Sequence, residues 1–369
     1  MGEPLVPESL MWDLNTEERI QNFTWWWWWW LLFIKDPKNP KRSRQLMILW
    51  STKDCQRIKV NDRWWERRFD ISKTGNETRF HGMTAAWYYD GRMMHEPFVL
   101  EENAFTARRS SGDEGELRPE SENTYVFSGK PGDYRLDIKR PGFDMRFRME
   151  PWNAFMDRPR YKRARYIGKY GYNGLRIYGQ RLSGTIATEG GTEAISGSAY
   201  FQKIMVNAPA FPWYWGVFHT EDGSFIDYML PHVGLATGRK TEAPRSWRDG
   251  NGLRISNRMQ FYVAREDRVH QFRVRRFSKS WTPENLPVFS VLGRSPDGKA
   301  ELELSLESYS RAFWRFEQKY LRWFNSILYY NEYPVEVKKL ELREGGRKLT
   351  LDDLGYVTGN CEHTWGKLL

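Results

Sequence analysis

Residues 23–36 read FTWWWWWWLLFIKD: six tryptophans in a row, then four more apolar residues, then a lysine. Indole is large and costly to leave in water, so the run calls for burial, a membrane or a ligand. The stretch 23–34 is twelve residues long, whereas a spanning helix needs about 20. No basic head with a small-residue cleavage site precedes it, so it does not read as a secretory signal. An interfacial helix needs a polar face, and this run is aromatic all round. Its flanks, NTEERIQN and KDPKNPKRSRQ, are ordinary sequence. The stretch therefore reads as a strand, which aromatics favour, ended by a turn at DPKNPK.

A strand places Trp25, Trp27 and Trp29 on one face and Trp26, Trp28 and Trp30 on the other. A half-buried strand alternates apolar with polar. This one does not, so both faces must be covered. At about 25 cal/mol per Å², six buried indoles approach roughly 30 kcal/mol as an upper bound. One face is expected to line a barrel interior. The other is expected to pack on a second domain or a covering segment.

The chain has 369 residues, enough for two domains. Net charge is +10 and aromatics make up 16%, a combination that raises nucleic acid as a partner. The arginines are dispersed, however. Arg63, Arg67, Arg68, Arg146, Arg148, Arg273, Arg275 and Arg276 sit in separate segments. Many alternate with apolar residues, the pattern of solvated strand faces, so no nucleic-acid partner is expected. Cys55 and Cys361 show neither metal spacing nor a disulfide framework. The expectation is a reduced, cytoplasmic protein with no transmembrane segment.

Glycine-bearing turns recur at Gly75, Gly91, Gly132, Gly142, Gly190, Gly223, Gly298 and Gly345. Between them the alternation is clean. Phe143, Met145, Phe147 and Met149 interleave with Asp144, Arg146 and Arg148; Leu302, Leu304 and Leu306 interleave with Glu301, Glu303 and Ser305. Strands at this spacing without alternating helices predict an all-β barrel or sandwich. Residues 8–23 could hold a short covering helix. Residues 312–330 have helix-like spacing at Phe313, Phe316, Tyr320, Phe324 and Ile327, yet their aromatics suit a strand pair equally well, and strands are the favoured reading. The domain break is placed at NAPAFP, residues 207–212, where two prolines interrupt strand pairing. This gives an N-terminal domain over 1–207, with its covering segment, and a C-terminal domain over 208–369.

No phosphate loop, G-x-S-x-G elbow or histidine pair at metal spacing occurs. No metal or cofactor is expected. Cys361 and His363 share a strand face, which suits a nucleophile with its base and suits core packing better. Three segments stand out: the Trp run, residues 197–231 (GSAYFQKIMVNAPAFPWYWGVFHTEDGSFIDYMLP) and residues 355–366 (GYVTGNCEHTWG).

In order and spacing these segments resemble the carotenoid 1,2-hydratase (hydroxyneurosporene synthase) and AttH lipocalin-like superfamily. The family's early E-W-W-Y strand is similar to residues 24–27. Its central G-x-A-W-x-D-H-E-W segment is similar to residues 197–205. Its W-x-W hairpin ending in Asp-Gly is similar to Trp213 and Trp215 through Asp222 and Gly223. Its terminal G-x-x-E-x-T-G strand is similar to residues 359–366. The resemblance spans most of the chain. It implies two tandem lipocalin-like antiparallel β-barrel domains and an apolar ligand, isoprenoid or another lipid. It also implies a pocket lined by Trp25, Trp27, Trp29, Tyr200, Trp213 and Trp215.

The departures bear on chemistry. The family's central Asp-His is Gln202-Lys203 here, and its early Glu is Thr24. Hydration of a C=C bond needs an acid that protonates carbon, and an amide cannot supply that proton. Lys203 would need a depressed pKa. The remaining acids are Asp227, set among Phe225, Ile226, Tyr228 and Met229, and Glu362. Catalytic candidates are thus Asp227, Glu362, Lys203 and Gln202. The leading expectation is a lipocalin-like protein that binds an apolar ligand. Whether it also acts on a C=C bond of that ligand, as a hydratase, cyclase or isomerase, is left open by the sequence, and the loss of Asp-His favours a carrier over the family's own hydration. The alternatives are a non-catalytic lipid carrier and a basic nucleic-acid-binding β protein.

Overall fold

The computed structural model describes residues 8–157, 159–207, 212–233, 253–321 and 324–367. The Trp run forms the strand Thr24–Ile34. It pairs antiparallel with Arg44–Lys53 on one edge and with Gly191–Asn207 on the other. With both edges bonded and both faces covered, the strand can be apolar throughout.

Its two faces go to different places. Trp26, Trp28, Trp30, Leu32 and Ile34 point into a core with Phe80, Phe127, Leu136 and Phe201. Trp29, Leu31 and Phe33 belong to a second cluster, with Trp25 and Trp27 packed against it, which includes Trp215, Val217 and Trp314 from the other half of the chain. The strand therefore serves as wall of one barrel and as seam to the next.

The first sheet runs from Phe143–Pro151 through the Trp strand to Tyr170–Thr188. It closes because those two strands pair with each other, and Arg160–Ile167 adds to the far part of Tyr170–Thr188. The second sheet closes in the same way through Ala300–Ser308 and Phe324–Glu344. The result is two closed antiparallel β-barrels in tandem, the expected fold class. The second core is built from Tyr214, Phe218, Phe261, Phe289, Leu304 and Trp365, among others. The aromatics of 312–330 lie on the strands Ala312–Leu321 and Phe324–Glu344. At the Asp-Gly turn, Gly223 has φ +84°, and a Cβ there would meet the Trp152 ring at 2.0 Å.

Among the described residues, those preceding the Trp run hold one 3-10 turn, Glu8–Met11. Met11, Trp12 and Leu14 are buried in the first core. The Trp28 indole N–H donates to the Met11 carbonyl at 2.7 Å, and that of Trp26 to the Asn15 carbonyl at 3.1 Å. The segment thus covers part of the first core, and it does so by answering the polar ends of buried indoles.

The chain passes from the first sheet to the second between Asn207, the end of Gly191–Asn207, and Trp213, the start of Trp213–Thr220. Residues 208–211 of the NAPAFP break lie outside the described residues. One hairpin departs from sequence order. Arg57–Val60 and Arg63–Glu66 leave the first half of the chain and pair onto Ala312–Leu321 in the second sheet. Buried polar contacts tie the halves further. Gln45 donates to the Gly359 carbonyl at 2.9 Å and accepts from Asn360 at 3.1 Å; Ser43 and Thr358 hydroxyls meet at 2.6 Å. Among the described residues, no helix is long and apolar enough to cross a membrane.

Candidate functional site

The seam gathers the aromatics that the sequence keeps far apart. Trp29 meets Tyr200 at 5.7 Å and Trp215 at 5.5 Å between ring centroids, and Tyr200 meets Trp215 at 5.4 Å. Strand alternation explains this. Trp25, Trp27, Trp29 and Tyr200 are on the outer face of the first barrel, and Trp213 and Trp215 are on the outer face of the second. All six expected pocket residues lie in or against one cluster.

One margin of the cluster remains partly open to solvent. Trp27, Trp25, Phe316, Tyr330 and Trp213 are each half-buried. They follow one another at centroid distances of 6.1, 5.1, 6.4 and 5.8 Å. Its inner end is polar. The Trp213 indole N–H and the Tyr330 hydroxyl each donate to Glu362 at 2.6 Å, one to each carboxylate oxygen.

Glu362 does not stand alone. It lies on Val357–Lys367, directly opposite Glu332 on Phe324–Glu344. Directly opposed residues on one face of an antiparallel pair have Cβ atoms about 4.5–5.5 Å apart. Both glutamates are buried. Burial pushes the Glu362 carboxyl up to about 7, even though Tyr330 and Trp213 favour its anion. Burial pushes Glu332 well above the carboxylate range, and the charge of Glu362 adds to the effect. Neither oxygen of Glu332 has a hydrogen bond of ordinary geometry. Tyr330 and the Trp87 indole are near enough to favour its anion somewhat, but burial dominates. Two carboxyls so placed cannot readily ionise together. Burial without an ordinary hydrogen bond favours the protonated form of Glu332. Glu362, with two donors, is the one built to carry the charge.

Asp227, on Phe225–Val233, faces the same seam beside Phe225 and Met229. Burial raises its carboxyl, against Arg258 and Arg176, which lower it. Gln202 is half-buried in register with Trp29 on one side and Arg176 on the other. Tyr200 donates weakly to it at 3.5 Å. Lys203 points the opposite way, into the first barrel. Its ammonium reaches the Leu10 and Asp13 carbonyls and lies 4.9 Å from the Trp28 ring. Burial pushes its pKa down to about 7. The structure thus brings Asp227, Glu362 and Gln202 to one seam and leaves Lys203 behind the barrel wall.

Cys361 and His363 face the second core. Burial pushes the Cys361 thiol up to about 12, and the Tyr228 hydroxyl donates to its sulfur at 3.4 Å. A thiol so held is a poor nucleophile. Among the described residues, no group of three His, Cys, Asp or Glu side chains is arranged to hold a metal ion. The buried carboxyl of this seam that sequence reading missed is Glu332. Its signal was present in YYNEYPVEV, where Tyr330 and Glu332 share a strand face; its pairing with the terminal strand was not.

No family model matches the sequence, and no curated protein matches it. Solved structures do. An AttH candidate from Nitrosomonas europaea aligns at 12% identity over 95% of this chain and 96% of its own, with a TM-score of 0.49. Kievitone hydratase from Nectria haematococca aligns at 10% identity over 100% and 97%, with a TM-score of 0.41. CghA aligns at 7% identity over 93% and 88%, with a TM-score of 0.48.

Proposed function

We propose that the seam is an acid–base site for a small, largely apolar molecule bearing a C=C bond. One observation carries this reading: a buried, mutually opposed glutamate pair stands at the inner end of a half-buried aromatic margin. A structural role explains it poorly. Two buried carboxyls facing each other, one of them without an ordinary hydrogen bond, destabilise a fold, and an apolar pair would serve packing better.

In this reading Glu332 donates its proton to one alkene carbon, and the neighbouring carbon takes up positive charge. The faces of Trp29, Trp213 and Trp215 stabilise that cation. Three outcomes complete the reaction. Water adds and returns a proton to the glutamate pair; a neighbouring carbon loses a proton to Glu362; or a second C=C bond closes a ring. The pair regains its proton in the first two outcomes, and after ring closure a final proton loss restores it. Glu362, held by Trp213 and Tyr330, accepts.

Incubation of the protein with an apolar polyene in deuterated water tests the chemistry. Deuterium should appear on carbon in the recovered molecule, and Glu332→Gln and Glu362→Gln should each abolish it while polyene binding persists. Undiminished labelling in both variants rejects the glutamate pair. Binding with no labelling by any protein form favours the carrier alternative.

A further inference from the structure

Arg176 has no role in the proton transfer just described, and its position is unusual. It lies on Tyr170–Thr188, in register with Gln202 on the neighbouring strand, which is in register with Trp29. Among the described residues it makes no hydrogen bond or ion pair, and it keeps accessible surface. Its electrostatic neighbours are Tyr200, Tyr178, Tyr172 and Asp227. Arginine on a barrel wall usually reaches a carboxylate or bulk water. Arg44 shows the ordinary case, with a two-pronged bond to Glu193 at 2.7 and 2.9 Å.

Asp227 is the carboxylate among these neighbours, yet no ion pair joins it to Arg176, and its Oδ1 has no hydrogen-bond partner. Two opposite charges therefore stand within electrostatic reach without closing on each other. The Tyr200 hydroxyl feels Arg176, Asp227 and Glu362 together, which sets it among all three. A guanidinium fork with a free face, an amide beside it and a tyrosine hydroxyl form a receptor for a planar anion.

We propose that the substrate of the seam carries a carboxylate head, received by Arg176 and Gln202, on an apolar unsaturated body. The proposal rests on the seam reading above and adds the substrate's polarity and direction. The head lies at the Arg176 end. The body passes Tyr200, Trp29 and Trp215 toward Glu362, whose strand position is in register with Trp215. Head binding would fix which carbon meets the acid, since one anchored end selects the register of an otherwise featureless chain.

The test uses retinoic acid and retinol, the same polyene with and without a carboxylate. Binding to the full chain is followed by tryptophan quenching. The wild type should bind retinoic acid at least tenfold more tightly than retinol. Arg176→Met should reduce the ratio to near one without weakening retinol. Arg176→Lys should keep most of the preference, which controls for a packing defect, and circular dichroism checks that both variants fold. Equal binding of both probes by the wild type, or an unchanged ratio in Arg176→Met, overturns the carboxylate proposal and leaves the seam reading intact. No quenching by either probe overturns both.

Discussion

Replacing Glu362 by glutamine should flatten part of the protein's pH–stability profile, and the sign of the change is fixed by the site. Burial lifts the Glu362 carboxyl from its ordinary 4.5 to about 7. Between those values the folded state holds more protons than the unfolded chain. Stability therefore falls as pH rises through that window, by roughly 3 kcal/mol for this group. Glutamine mimics the protonated acid and removes the penalty. Glu332 moves in the same direction, because loss of the Glu362 charge makes it easier to ionise. Histidines work the other way. His81 and His219, each pushed down to about 4 by burial, make stability rise with pH. Their effect cancels when variant and wild type are compared at each pH. Urea unfolding at about pH 5 and about pH 8 measures the difference. Glu362→Gln should gain roughly 3 kcal/mol relative to wild type on going from the lower to the higher pH. A difference that stays constant with pH, or shrinks, would refute the buried pair.

The two faces of the Trp run should respond differently to truncation. Trp28→Ala empties a fully buried site and strands the Met11 carbonyl, for about 3–5 kcal/mol of stability. Half-buried Trp25→Ala should cost less in denaturant while weakening binding of a polyene, read by titration. Lys203→Met should leave polyene binding and deuterium labelling intact, because its ammonium lies inside the first barrel. Wild-type stability relative to that variant should rise as pH climbs from about 7 toward the ordinary lysine range. Cys361 should resist alkylation by iodoacetamide in the folded protein and react on unfolding, as its buried, raised thiol requires.

Much of the fold was legible because strand periodicity is a local property. Six tryptophans in a row cannot alternate, so a strand buried on both faces followed from residues 25–30 alone. The turns at Gly223 and Gly298 and the alternation at 143–149 carried the rest. What stayed hidden depends on strand pairing across long separations. Glu332 and Glu362 lie thirty residues apart along the chain and become a pair only through the register of two strands. The hairpin of residues 57–66 pairs into the far sheet because Val60 and Phe316 meet there, and no feature near residue 57 announces that partner. Lys203 and Gln202 are neighbours in sequence, yet alternation sends one into a barrel and the other to the seam. The sequence supplied the candidates, and the register decided which of them share a site.

The state of the two glutamates themselves is the most direct measure of the central claim. Carboxyl-carbon NMR of the protein with labelled glutamate, assigned through Glu332→Gln and Glu362→Gln, follows each group across pH. The account predicts that Glu332 stays protonated at neutral pH, that Glu362 titrates near neutrality, and that each responds to loss of the other. Two independent titrations in the ordinary carboxylate range would contradict it.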